Sequence, residues 1–178
     1  MAGDPSNASL WADADIYVAP TGTTDPATVD DPFPAGWDLV GLLDPEAGFA
    51  STREEQMTDH YAWGGLLVRK SRRQFKLVRS FTLLEDSDVT RELIWPGSTA
   101  SAIFVPRPQR IKIAFETREG DVTERLISKY EAEVDVSGDI TQNEADLTKY
   151  PMMATIYPDA NSVSGTTGAP QLFVRQRT

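Results

Sequence analysis

The sequence predicts a mainly β protein, a two-sheet β-sandwich or barrel with one short flanking α-helix, in a single domain over residues 1–178. Three observations favour it. Apolar and polar residues alternate with a period of two in several stretches, clusters of Gly, Pro, Asp and Asn separate these stretches, and one segment alone has helical spacing. The chain has 178 residues and no cysteine. It can therefore bury a substantial core, while disulfides and thiol chemistry are excluded.

The strands follow from the alternation. In "RQFKLVRSFTLLE" one face carries Phe75, Leu77, Phe81 and Leu83, and Arg79 is the exception on that face. Residues 110–116, "RIKIAFE", and 129–136, "KYEAEVDV", each combine an apolar face with a charged face that we expect to meet water. Shorter strands are predicted at Ile16–Ala19, Trp37–Leu43, Gly65–Val68, Arg125–Ser128, Ala154–Tyr157 and Leu172–Arg175.

The helix is predicted over Asp88–Trp95. Ser87 and the neighbouring acids suit a helix start, and Pro96 with Gly97 ends it. A helix of about two turns is too short to be stable alone. We therefore expect it to be held by packing of Leu93, Ile94 and Trp95 against a sheet.

Residues 44–65 show no clean hydrophobic period, and we expect them to form a long loop. We also expect an extended N-terminal arm (about 1–12) and a C-terminal tail (about 160–178). A loop of that length is unusual unless it has a function or is disordered. The loop contains Phe49, Tyr61 and Trp63, and such aromatic residues argue against disorder.

Charge is unevenly distributed along the chain. The net charge is -10, and residues 1–60 contain twelve acids and one base, a net charge of -11. Residues 68–79 contain six bases and no acid. The two regions could pair within one subunit or face water, or they could meet between copies, head to tail, as in rings and filaments.

No catalytic constellation accompanies these features, and we expect neither an enzyme nor a cofactor. His60 is the sole histidine, and no nucleophile motif or phosphate-binding loop is present. Carboxylates spaced by two, as at Asp13 and Asp15, could bind a cation, but on a strand they form one solvent-facing row. The basic run could bind DNA, although the chain as a whole is acidic.

The N-terminus lacks the basic segment and apolar core of a signal peptide, and the uncharged run Leu93–Pro106 is short and interrupted by Pro96. We therefore expect a soluble chain that is made in the cytoplasm, with no membrane partner.

Several stretches together resemble the major tail tube proteins of long-tailed (siphovirus-type) phages, particularly those that infect actinobacteria. The resemblance spans most of the chain. It rests on "WADADIYVAP", "GWDLVGLLDPEAGF", "YAWGGLLVRKSRRQFKLVRSFTLLEDSDVTRELIWPGS", "RPQRIKIAFE" and "ITQNEADLTKYPMMATIYPD".

This resemblance implies hexameric rings that stack into a tube around a channel for genome delivery, located in the virion. Expected partners are further copies of the chain, the tape measure, tail terminator and distal tail proteins, and DNA in transit. The long loop would contact neighbouring subunits or rings through Phe49, Arg53, Glu54, Glu55, Tyr61 and Trp63. The basic segment Arg69, Lys70, Arg72 and Arg73 would take part in assembly.

A channel that lets DNA slide should not be lined by cations that would bind it. The acidic row Glu131, Glu133 and Asp135 is therefore the candidate channel lining, although a row on the outer surface would give the same pattern. Two other classes stay open: a tube protein of a contractile tail or secretion system, and a β-sandwich that decorates or binds at a virion surface.

Overall fold

The computed structural model describes residues 9–99 and 101–178. In this part of the chain the strands are β1 (Asp13–Pro20), β2 (Asp38–Leu39), β3 (Ala50–Tyr61), β4 (Leu67–Leu83), β5 (Arg110–Glu119), β6 (Val122–Ser128), β7 (Ala132–Val136), β8 (Tyr150–Ile156), β9 (Asp159–Val163), β10 (Pro170–Gln171) and β11 (Phe173–Arg177). The helix α1 spans Asp88–Ile94. The prediction of a mainly β chain with one short helix is confirmed.

Within the described residues nine strands form one antiparallel sheet in the order β11-β6-β5-β7-β8-β4-β3, with β1 paired to β5 and β2 paired to β1. Strands β9 and β10 pair separately. The two ends of the order, β11 and β3, do not pair with each other, so the sheet is not closed. Three of the eight strand pairs described in this sheet, β1 with β5, β4 with β8 and β6 with β11, join strands far apart in sequence. The sheet therefore depends in part on contacts that no local pattern specifies.

The sheet curves around its core. Phe81 lies on β4 and Phe115 on β5, and two strands separate β4 from β5 in the sheet order. In a flat sheet three strand spacings would hold them about 14 Å apart, yet their ring centroids are 6.0 Å apart. Phe49 and Phe173 also place their rings edge-on against Phe115, at 5.3 and 6.5 Å. Phe115 is therefore the centre of the core.

The alternating face of β4 is buried only in part. Phe81 and Leu83 are buried and Leu77 is half-buried, whereas Phe75 is 42% exposed. The expectation of one buried face from Phe75 to Leu83 is therefore wrong at Phe75. Here β4 has passed beyond the neighbouring strand, since its pairing with β8 begins at Leu77.

Both faces of β5 are buried, which the sequence did not predict. Ile111, Ile113 and Phe115 face the core, but Lys112 and Glu116 are also buried. The segment 20–37 covers this second face. Buried charges require partners, and Lys112 forms an ion pair with Asp25 while Glu116 forms one with the buried guanidinium of Arg125.

Backbone carbonyls complete the attachment of segment 20–37. Lys112 Nζ donates to Thr23 O at 3.2 Å, Arg125 donates to Asp31 O at 2.7 Å, and Trp37 Nε1 donates to Thr24 O at 2.9 Å. The guanidinium of Arg125 also lies over the ring of Phe33 at 4.7 Å. Hydrogen bonds from Lys112 and Arg125 thus hold segment 20–37, which has no regular secondary structure, against β5 and β6.

The helix begins as predicted. Ser87 is its N-cap, and its hydroxyl accepts from the backbone N–H of Thr90 at 3.1 Å. Leu93 and Ile94 are buried, but Trp95 is 38% exposed, so the expectation that Trp95 is enclosed is wrong. Trp95 is the C-cap residue with φ -129°, and this non-helical backbone takes it off the packed face.

The expected C-terminal tail also differs from the structure. Residues 159–163 and 170–171 pair as β9 and β10, and β11 pairs with β6 from Phe173↔Ser128 to Arg177↔Glu124. The last residues therefore extend the main sheet. Of the expected N-terminal arm, residues 1–8 lie outside the described residues, and Leu10 is 80% exposed.

Candidate functional site

The predicted long loop is instead one strand of a hairpin. Residues 50–61 form β3, which pairs with β4 from Ala50↔Ser80 to Tyr61↔Leu67. None of residues 55–75 is buried. A strand whose two faces are both exposed has no reason to alternate, and its hydrogen bonds to β4 require no apolar period. The sequence pattern could not reveal β3 for this reason.

A bulge divides this hairpin into an inner and an outer part. The pairing shifts between Glu54↔Lys76 and Gln56↔Arg73, so that Glu55 faces two residues of β4. One of the two is Gln74, which has a left-handed φ of 55°. Such bulges bend a strand and increase its twist. The inner part belongs to the main sheet, and the outer part projects from it.

The outer part has two different faces. On one face Glu55 pairs with Arg53 at 2.9 Å and with Arg72 at 3.6 Å, and Lys70 lies 3.8 Å from Asp59. Exposed Met57 shares this face, since it stands opposite Arg72 in the ladder. The other face is uniformly polar. It carries the opposed pairs Gln56↔Arg73, Thr58↔Ser71 and His60↔Arg69.

The tip of the hairpin is apolar and exposed. Trp63 is fully exposed, and Tyr61, Leu66, Leu67 and Val68 are between 50% and 70% exposed. A turn closes the tip, with Gly64 and Gly65 at φ 94° and 83°, a backbone region that favours glycine. A cluster of this kind on a projecting element is typical of a surface that contacts another protein.

Charge separates the hairpin from the rest of the molecule. Residues 50–76 contain six bases and three acids, a net charge of +3, so the remaining residues of the -10 chain sum to -13. Among the described residues, Arg69, Arg73 and Lys76 form no ion pair. The basic segment thus keeps unpaired cations on a projecting element.

Many N-terminal acids pair within the subunit, as one of the two sequence interpretations proposed. Their partners, however, lie mostly outside the basic run. Asp13 and Asp15 bind Arg118 at 2.7 and 2.5 Å, and Asp44 binds Lys149 at 2.6 Å. The hydrogen bond from Lys149 lowers the pKa of Asp44 below its usual value. Pairing among the described residues therefore leaves three of the six cations of the hairpin without an ion pair.

The residues assigned to the loop do not stay together. Tyr61 and Trp63 lie at the tip, and Arg53, Glu54 and Glu55 lie along β3. Phe49 precedes β3 and packs on Phe115 in the core, so it belongs to the core of its own subunit. Its aromatic character alone gave no sign of this difference.

The acidic row forms one face at β7. The intervening residues Ala132 and Val134 are buried, which places Glu131, Glu133 and Asp135 on the opposite side. Glu131 accepts from Arg110 at 2.8 Å, and Glu133 accepts from the hydroxyl of Tyr157 at 2.7 Å. That hydrogen bond raises the pKa of Tyr157. Asp135 is exposed.

The remaining chemical candidates lie apart from one another. His60 is exposed, and its Nε2 contacts the hydroxyl of Ser71 at 2.9 Å. Within residues 9–99 and 101–178 no three His, Asp or Glu side chains form a group that could hold a metal ion. No helix in that part of the chain is both long and apolar enough to cross a bilayer.

The chain matches no protein-family model and has no significant match among curated proteins.

Proposed function

We propose that this protein is a structural virion subunit that polymerises as stacked hexameric rings into the tail tube of a long-tailed phage and so forms the channel for genome delivery. The sequence resemblance to major tail tube proteins suggests this role, and the antiparallel sheet suits it. In the proposed ring each subunit is a β-sandwich or barrel segment with α1 on its flank. The tape measure, tail terminator and distal tail proteins would be its partners in the virion.

The observation that carries the proposal is the projecting hairpin. From Glu54 to Tyr61 the strand would reach about 25 Å at 3.3 Å per residue, and its outer part buries no side chain in its own subunit. An isolated two-stranded hairpin is marginally stable in water. Contact with a neighbouring subunit would bury the apolar tip and one face, and would thereby stabilise the hairpin.

Charge supports contacts between copies. The hairpin has a net charge of +3, and the rest of the chain has a net charge of -13. This difference favours head-to-tail contact, in which the hairpin of one copy meets the acidic surface of the next. This geometry closes into rings or continues as filaments. It would also give partners to Arg69, Arg73 and Lys76, which form no ion pair with the described residues of their own subunit.

The unpaired sheet edges support the same arrangement. Strands β3 and β11 end the sheet order, and exposed edges are sites where further strands add. In a ring, the strands of adjacent subunits would continue the sheet and close a barrel around the channel. Six copies at -10 would give about -60 per ring, a field that repels DNA from the wall.

Electron microscopy of the purified protein tests this proposal. Six-membered rings and tubes in negative stain are the expected result. Light scattering that shows only monomer, at high concentration and with the tail partners added, would refute it. Monomers or trimers without tubes would favour a surface decoration protein, and a neighbouring gene for a sheath protein would favour a contractile tail or secretion system.

A further inference from the structure

A cavity opens where the hairpin leaves the core. Its volume is about 420 Å³, and it lies between the start of β1, residues 41–49, and the facing parts of β4, β5 and β6. Phe49, Phe115 and Leu126 contribute apolar walls, and Trp11 and Leu42 line it as well. Leu42 is 67% exposed, so apolar surface extends to the rim.

One cation in this cavity, Arg79, has no acidic partner among the described residues. The guanidinium of Arg79 lies 4.5 Å from the ring centroid of Phe115 and 5.1 Å from that of Phe49. Its Nε is buried and makes no hydrogen bond, and Arg79 forms no ion pair with any described residue. Burial lowers the pKa of Arg79 to about 10, an effect that the charge of Glu124 partly opposes.

The acids that line the cavity are engaged elsewhere. Glu124 binds Arg175 through two contacts of 3.1 and 2.7 Å. Arg118 holds Asp13 and Asp15, and Lys149 holds Asp44. Arg79 is half-buried with its Nε enclosed, and an unpaired charge away from water is costly. An arginine fork binds a carboxylate through two parallel hydrogen bonds. The cavity therefore suits one more carboxylate, and its apolar walls suit the methylene groups of the side chain that carries it.

We propose that this cavity receives an aspartate or glutamate side chain from a second copy of the chain, which pairs with Arg79. The inference rests on the proposed self-assembly, because the cavity lies at the foot of the hairpin that would join copies. The chain has 27 acids and 17 bases, so the surface of another copy offers carboxylates in excess. Assembly would supply the missing partner and remove the cost of the unpaired charge.

Replacement of the charge gives the first test. Arg79→Leu keeps an apolar side chain against Phe49 and Phe115 and removes the unpaired cation, so the melting temperature of the free subunit should not fall. The concentration needed for assembly should rise at least about tenfold, since the carboxylate of the neighbour would lose its partner. The control is Arg107→Leu, because Arg107 is exposed and lies outside this cavity. Unchanged assembly of a folded Arg79→Leu subunit would overturn the inference.

Cross-linking identifies the partner. An equal mixture of ¹⁵N-labelled and unlabelled Arg79→Lys protein, treated with a carbodiimide, should join the amine at position 79 to a carboxylate, and mass spectrometry should find both isotopes in the joined peptides. Links within one copy only, to Glu124 or Asp4 for example, would overturn the inference, and so would the absence of any link. The assembly of the wild-type protein distinguishes the proposed tail tube function from the proposed pairing at Arg79. If the wild type forms rings but no link between copies is found, only the pairing at Arg79 is refuted. If the wild type forms no rings, both proposals are refuted.

Discussion

Removal of the outer hairpin should separate folding from assembly. The variant replaces residues 55–75 by Asn-Gly. Glu54 and Lys76 are directly opposed in the ladder, and a two-residue Asn-Gly turn closes such a pair. The inner part of the hairpin, from Ala50↔Ser80 to Glu54↔Lys76, stays in the sheet.

The expected change in stability is small because no buried side chain is lost. The connection also becomes shorter, from 21 residues to two, and loop-closure entropy changes by about 0.6 kcal/mol per doubling of loop length. The free energy of unfolding should therefore not fall, and it should rise by no more than about 2 kcal/mol. For a chain of this size that corresponds to an increase in melting temperature of at most about 8 °C. Tubes and rings should be absent.

Calorimetry measures the change in melting temperature, and sedimentation with negative-stain microscopy measures the loss of rings and tubes. A full-length Trp63→Ala variant serves as the matched control, because it keeps the hairpin and removes only the most exposed tip side chain. We expect it to fold normally and to assemble more weakly than the wild type. A truncated subunit that unfolds would place the hairpin in the folding core, and one that builds normal tubes would exclude the hairpin from assembly.

Three further predictions concern the body of the subunit. Leu93→Ala should lower the free energy of unfolding by roughly 2 to 5 kcal/mol, as measured by denaturant titration, because Leu93 is buried in the core cluster; a change near zero would contradict its packing role. Asp44 has a lowered pKa, so its pair with Lys149 should stabilise the fold above the unfolded value of about 3.8 and lose this effect as pH falls through the lower folded value. The difference in melting temperature between wild type and Asp44→Asn should accordingly shrink in acid below that pH, and a constant difference would contradict it. Finally, virions in which lysine replaces all three residues of the acidic row, Glu131, Glu133 and Asp135, should keep normal tails but eject DNA slowly. An unchanged rate of ejection would show that the row does not line the channel.

The class of the fold and several of its elements could be predicted from the sequence. Alternation placed Ile111, Ile113 and Phe115 on one buried face of a strand, and the polar residues before Val89 located the start of the helix. These signals are local. A strand or helix that buries one face against a core must repeat its apolar residues with the period of its own backbone.

Features that depend on residues distant in the sequence could be seen only in the three-dimensional structure. Strand β3 carries no apolar period because neither face of its outer part is covered, and its pairing with β4 is made by the backbone. The burial of Lys112 and Glu116 depends on segment 20–37, which lies far from β5 in the sequence. Arg79 stood out in the sequence as a charge on an apolar face. Arg79 lines a cavity whose nearby acids already have other partners. Asp15 on β1 pairs with Arg118 on β5, and Glu124 on β6 pairs with Arg175 on β11.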